Sequence, residues 1–287
     1  MKNLMINGIS LNFIENNVEQ DCAIIFLHGN SHSLHTFNKQ MNSPLLSHYR
    51  LVFVDLPGHG LSSRTKDYSV KIFAQILSEF LNSLKIKNYI LVGHSMGGHV
   101  GLNLLTTMSK PRGLFLFGTP PLKNPFDVNA FKANPKASAL GKVHPDYEEI
   151  NTLMDEMNYG GIDRQRAIED FLNTDPDFRK DILDDVASGN HQDEVELIKG
   201  FAGAVMFLLA TGESMINNSY IRQDCIANLS QVQFLDIEAG HSPHVEKELE
   251  FNRVLAEFCK QVFSGNIELE NIINGHKHER SQNEQRN

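Results

Sequence analysis

Little in this chain of 287 residues can staple a fold, span a membrane or grip a polyanion. Its three cysteines, Cys22, Cys225 and Cys259, are odd in number and scattered, which argues against a disulfide framework or a cysteine metal site. No run approaches the roughly 18 apolar residues of a transmembrane helix, so no membrane span is expected. The opening residues 1–8 carry neither a long apolar stretch nor a small-residue cleavage site, and the reducing cytoplasm is the expected location. Positive charge is also scarce: 26 Lys and Arg stand against 35 Asp and Glu, a formal net charge of −9. Nucleic-acid binding runs on Lys/Arg clusters and counterion release, so that partner class is excluded and a neutral or weakly charged small molecule is expected instead. The thirteen histidines would suggest a metal only if residues such as His32, His35, His241 and His244 converged. No carboxylate or cysteine falls at a metal-site spacing beside them, and no metal or organic cofactor is expected.

What is present is an alternation of strands and helices. Residues 4–6 and 10–14 around Asn7-Gly8 read as an opening hairpin. Apolar runs near 23–27, 51–54, 89–92 and 114–117 read as strands buried on both faces, separated by helical patterns such as 69–84. This pattern predicts an α/β fold with a doubly wound, mostly parallel sheet and right-handed crossovers. Between residues 117 and 205 no strand-like run occurs, too long a stretch to be structureless. Helical spacing or capping signals at 145–158, 163–173, 176–188 and 193–201 make it an inserted helical lid. The expected organisation is a core of residues 1–118 and 202–265, a lid of residues 119–201, and a polar tail at 274–287 unable to bury itself and expected to be disordered. Within the lid, Phe131, Met154, Met157, Tyr159 and Phe171 either line an acyl pocket or pack the lid helices on the body.

Four segments carry the chemistry. Tyr89-Ile90-Leu91-Val92-Gly93-His94-Ser95-Met96-Gly97-Gly98 reads as strand, sharp turn and helix, with Ser95 at the apex of G-x-S-x-G. Three such fixed positions recur by chance about 0.1 times in a chain of this length, so the flanking strand and helix patterns decide the matter in favour of a nucleophile. The run at 23–27 ends in His28-Gly29-Asn30, where Gly29 lets the backbone pass close to Ser95. The Asn30 and Met96 N–H groups can then face a developing oxyanion, and Asn30 offers a side-chain amide as well. Residues 51–62 form another buried strand running into a turn, and residues 232–243 deliver His241 just after a strand.

HGN at 28–30, DLPGHGLS at 55–62, GHSMGG at 93–98 and GHSPHVEK at 240–247 resemble the α/β-hydrolase fold family over roughly residues 1–263. HGNSHS at 28–33 with FGTPPL at 117–122 is similar to the branch containing serine-type acyl-homoserine-lactone lactonases and related esterases. The resemblance implies an ester or lactone hydrolase with Ser95 as nucleophile and His241 as general base. Dehalogenase and epoxide-hydrolase relatives would use an aspartate where this chain has Ser95; serine haloperoxidase-like chemistry stays open.

One position departs from the family pattern. Where the family presents G-x-x-D or G-x-x-E after the strand that follows the lid, this chain has Gly212-Glu213-Ser214-Met215, and a thioether cannot orient an imidazole. Glu213, two residues early, is the leading substitute; Asp127, Asn217 and Asn218 are alternatives, while Asp224 and Asp236 fall on a helix face and within a strand. If none serves, the chain is a binding member of the fold that lost its acid. An acyltransferase, differing only in excluding water from the acyl-enzyme, is the third possibility.

Overall fold

The computed structural model describes residues 1–265; the tail at 274–287 lies outside the described residues. The chain opens with β1 (Lys2–Ile6) and β2 (Ile9–Asn16), joined at Asn7 and Gly8, whose φ angles of 49° and 83° are the left-handed pair that a two-residue hairpin turn requires. Six further strands follow: β3 (Ala23–Leu27), β4 (Arg50–Val54), β5 (Tyr89–His94), β6 (Gly113–Phe117), β7 (Ala204–Ala210) and β8 (Val232–Ile237). They form one sheet in the order β1-β2-β4-β3-β5-β6-β7-β8, antiparallel through β2 and β4 and parallel from β4 onward.

The continuous apolar runs of the central strands reflect burial on both faces. Ile25, Leu27, Leu91, Leu114 and Leu116 enter one core, while Ile24, Phe26, Val92, Phe115 and Phe117 enter the other, as the period of two demands. On the first face lie α2 (Val70–Ser83) and α3 (Met96–Leu104). α2 starts where Ser69 Oγ accepts the Ile72 N–H and buries Phe73, Leu77, Phe80 and Leu81 along one stripe. Against the second face pack the short α1 (Asn38–Met41) and α9 (Glu248–Ser264), the latter through Phe251, Leu255, Phe258 and Val262.

Between β6 and β7 the chain carries four helices and no strand: α4 (Tyr147–Glu156), α5 (Gly161–Asn173), α6 (Pro176–Ala187) and α7 (Glu194–Lys199). Each start except that of α5 has a side-chain cap, from Asp146, Asp175 and Asp193 in turn, and Asp146 forms a full capping box with Glu149. After β8 a single turn, α8 (Pro243–Glu246), precedes α9.

The sheet order fixes where a site can be built. From β3 the chain crosses to β4 on one side and then to β5 on the other, so the loops leaving β3 and β5 diverge at a switch point, the place at the strands' C-terminal ends where open α/β sheets build their binding sites. The register pairs Leu27 with Gly93, His94 with Phe117 and Ala210 with Ile237. These pairings bring the loops of Asn30, Ser95, Glu213 and His241 to one edge.

Candidate active site

Ser95 sits at the junction of β5 and α3 with φ 50° and ψ −117°, a conformation that costs a non-glycine residue about 1–3 kcal/mol and persists only where its surroundings enforce it. The enforcement is visible. Ser95 N–H donates to Phe117 O at 2.9 Å, and Thr119 Oγ1 donates to Ser95 O at 2.8 Å. A Cβ on Gly97 would lie 2.2 Å from Leu27 O, and one on Gly93 would lie 2.5 Å from Gly98 Cα. Only glycine at both positions lets the helix press onto the ends of β3 and β5 and turn the serine outward, where it is partly exposed.

The loop after β3 runs beside this turn: a Cβ on Gly29 would come 3.4 Å from Ser95 Cβ. The Asn30 and Met96 N–H groups find no acceptor within the protein among the described residues, Met96 because it opens a helix and so lacks an intrahelical partner. The Asn30 side chain is committed elsewhere, its Nδ2 donating to Leu140 O at 3.3 Å and its Oδ1 accepting from Ser31 Oγ at 2.6 Å. One of the two Nδ2 hydrogens is thereby engaged, and the other makes no bond among the described residues.

His241 is buried, with its Nδ1–H donating to Glu213 Oε2 at 2.7 Å. That bond fixes the tautomer and leaves the Nε2 lone pair free to take a proton. Glu213 is equally buried; its Oε1 accepts the Met215 N–H at 2.8 Å and the Ile216 N–H at 3.3 Å. Burial by itself raises the Glu213 carboxyl, yet the His241 charge, the bond to it and the two amides together hold it below the ordinary glutamate value. The carboxylate is therefore ionised at neutral pH.

The other acid candidates stand apart. Asp127 is half-buried and caps a short turn through the Asn129 N–H. Asn217 donates to Asn129 O and Asn218 to Ala210 O. Asp236 pairs with Arg222 on an exposed part of β8. Asp224 lies in the helical turn Tyr220–Cys225, its side chain outside the described residues.

Ser95, bonded to Phe117 O and Thr119 Oγ1, and His241 both border the corner after β6. Gly118, with φ +60°, would place a Cβ 2.7 Å from His241 Cε1, so its missing side chain makes room for the imidazole. Among the described residues Ser95 Oγ makes no hydrogen bond, to His241 Nε2 or to any other group; in ligand-free sites such bonds are often long and tighten only around substrate.

Two residues with no role in the sequence reading hold the histidine loop. His94 Nε2–H donates to His241 O at 3.1 Å, and Glu246 accepts the Gly240 N–H at 3.0 Å and the Ser242 N–H at 3.3 Å. Both stand inside the recognised motifs, His94 in GHSMGG and Glu246 in GHSPHVEK, where they read as spacers. Burial pulls His94 and His244 well below the ordinary histidine value, neighbouring imidazoles add to the effect, and both are neutral. His32 is pushed down to about 4, first by burial. No group of three or more His, Cys, Asp or Glu is placed to hold a metal ion among the described residues. Nor is any helix among them long and apolar enough to cross a membrane.

Of the apolar residues considered for an acyl pocket, Met154, Met157 and Phe171 pack in the core and Phe131 is partly exposed against Phe126. Tyr159 lies with its ring 5.4 Å from that of His32, beside a cavity of about 10 Å³, room for no more than a single water.

The model of the alpha/beta hydrolase family matches residues 24–254. The chain belongs to that family. Among curated proteins, it is 34% identical over 92 residues to the magnesium-chelatase 30 kDa subunit of Rhodobacter capsulatus, 31% of this chain and 32% of that one. It is also 34% identical over 94 residues to an epoxide hydrolase of Caballeronia sordidicola, 32% of this chain and 28% of that one. The chain thus spans about a third or less of the length of these relatives. Among solved structures, the N-acyl homoserine lactonase AidH complexed with N-butanoyl homoserine superposes with a TM-score of 0.82 at 22% identity, over 91% of this chain and 96% of that one. An esterase of Thermogutta terrifontis superposes with a TM-score of 0.75 at 17% identity, over 91% and 99% of the two chains. At such identities the likeness shows the fold.

Proposed function

We propose that this hydrolase-family chain is a serine hydrolase that cleaves a carboxylic ester or lactone through an acyl-enzyme, with Ser95, His241 and Glu213 as its triad. The observation that carries the reading is the 2.7 Å bond between Glu213 and His241 Nδ1, both buried, beside a strained and outward-facing Ser95. His241 Nε2 takes the proton of Ser95 Oγ as the oxygen attacks the carbonyl carbon. The Asn30 and Met96 amides receive the oxyanion, and collapse expels the alkoxide, which His241 protonates. His241 then deprotonates a water that attacks the acyl carbon, and Ser95 leaves with the proton. Glu213 stays ionised throughout, orienting the imidazole and stabilising its cation. None of these steps calls for a metal or organic cofactor. The net charge of −9 favours a neutral small-molecule substrate, handled in the cytoplasm, with residues 119–201 as the lid over it.

The lactone reading draws on HGNSHS at 28–33 and FGTPPL at 117–122, and on the likeness of fold to a lactonase. The alternative of a binding member without an acid rested on Met215, and Glu213 at hydrogen-bond distance from His241 weighs against it. Mass spectrometry after a fluorophosphonate probe tests the proposal: an adduct on Ser95 is expected, and its absence from folded protein overturns it. Ring opening of acyl-homoserine lactones with higher kcat/KM than linear esters of equal acyl length is expected of a lactonase, and good ester turnover without ring opening returns the chain to the esterases.

A further inference from the structure

We propose that Arg179, on α6 of the helical insertion, is a positioning residue for the oxyanion donor Asn30, acting through Ser31. The proposal rests on the reading of Asn30 as that donor. Arg179 is 4% exposed and forms no ion pair among the described residues. Its guanidinium lies over the Phe171 ring at 4.6 Å. The Asp175 carboxylate acts on it only from beyond ion-pair distance, and a buried guanidinium with no carboxylate in contact loses hydration that neutral acceptors recover only in part, so its placement calls for a reason.

Three of the five N–H donors are aimed, one from each nitrogen. Nη1 donates to Ser31 Oγ at 3.0 Å, Nε to Lys142 O at 2.7 Å and Nη2 to Val143 O at 3.0 Å. Both grips on the Asn30 side chain lead back to these contacts. Its Oδ1 is held by Ser31 Oγ–H, whose oxygen receives Arg179; its Nδ2 is held by Leu140 O, in the same stretch as the Lys142 and Val143 carbonyls that Arg179 binds. Ser31 is itself buried in the left-handed region, at φ 58°, and His32 Nδ1–H donates to Asn30 O at 2.8 Å. Asn30 is thus fixed at both side-chain ends and at its carbonyl, which leaves its N–H one direction, without an internal acceptor. The fork geometry of arginine suits this task, since one planar group reaches the loop and the insertion at once, while a lysine ammonium on a flexible stem does not.

The test compares Ser31→Ala, Arg179→Met, Arg179→Lys and the double variant Ser31→Ala with Arg179→Met, reading kcat, KM and the affinity of phenylboronic acid, whose adduct with Ser95 is tetrahedral. Loss of an oxyanion donor costs about 10²–10³-fold, and misplacing one costs a part of that. Ser31→Ala and Arg179→Met are each expected to lower kcat about 10–100-fold with little change in KM and to weaken boronate binding by the same factor. The double variant should match the worse single one, and Arg179→Lys should recover little. A merely structural role lowers melting temperature and leaves the boronate affinity of the folded enzyme unchanged. Ser31→Ala removes one hydroxyl and tests the relay even if Arg179→Met does not fold. Wild-type kcat and boronate affinity in Ser31→Ala, or additive losses in the double variant, overturn the proposal while fluorophosphonate still labels Ser95. Wild-type enzyme that does not label loses the serine-hydrolase reading, and this proposal with it.

Discussion

Two buried glutamates in this molecule each hold a histidine by its Nδ1. Glu213 bonds His241 at 2.7 Å and Glu194 bonds His99 at 2.8 Å, and neither carboxylate is more than 5% exposed. Their surroundings separate them. Glu213 takes its other bonds from the Met215 and Ile216 amides of its own loop, so the bond to His241 crosses between two loops beside Ser95. Glu194 also accepts Asn103 Nδ2 at 3.0 Å and the Leu122 N–H at 2.9 Å, which ties α7 of the insertion to the helix behind the serine and to the chain just past β6. A carboxylate and imidazole pair is therefore no site by itself; under the proposed function, the strained Ser95 and the two amides without internal acceptors distinguish the first pair, and the second is a bracket.

The largest effects should separate the two pairs by turnover. Ser95→Ala, His241→Ala and the double variant are each expected to reduce p-nitrophenyl ester hydrolysis about 10⁴–10⁶-fold to one shared floor, because groups acting as a unit are not additive. Steady-state rates check this, and comparable activity left in Ser95→Ala would remove the nucleophile assignment. Glu213→Gln should keep the fold and lower kcat about 10²–10⁴-fold. Met215→Asp should change little, as the histidine already has its partner; a strong gain there with a silent Glu213→Gln would reverse the comparison.

Glu194→Gln should do the opposite. It weakens three buried donors at once, and losses of about 1–3 kcal/mol follow from leaving such groups without a full partner. Denaturant melts should register that loss, with kcat per folded molecule within about threefold of wild type if the pair is only a bracket. A fall in kcat matching that of Glu213→Gln would mean that the helix behind Ser95 transmits the change.

The central sheet and the serine turn were legible because their residues answer to local rules. Apolar runs buried on both faces read as β3, β5 and β6, and Gly93, Ser95 and Gly97 spell a turn whose crowding only glycine tolerates. The partner of His241 was harder, because the distance from Gly212 along the chain says nothing of how the loop after β7 curls. Two amides, from Met215 and Ile216, turn Glu213 inward, and that is a tertiary fact. His94 and Arg179 were missed for the same reason, since each acts on a backbone or hydroxyl group 147 or 148 residues away along the chain; Glu246 lies close in sequence to the Gly240 and Ser242 amides it binds, but the turning back of its carboxylate onto them is not spelled by the motif.

The smallest expected effect lies on the seam between insertion and body. Asp170 on α5 accepts Ser33 Oγ–H at 2.6 Å, and burial, aided by the charges of Asp55 and Glu169, raises its carboxyl from 3.8 to about 7 against the hydrogen bond from Ser33. Between those two values the folded chain holds a proton that the unfolded chain has released, so folding stability falls as pH rises through the window and the full penalty stands above it. Asp170→Asn keeps an acceptor for Ser33 and removes the ionisation. The variant should therefore melt close to wild type at pH 5 and about 2–4 °C higher at pH 8, a shift of about 1 kcal/mol for a domain of this size, once solvent at the partly exposed helix has screened part of the penalty. Melting curves from pH 5 to 8 check the slope, and a difference that does not grow with pH would mean that Asp170 is already ionised in the fold and that the seam is wetter than its hydrogen bonds suggest.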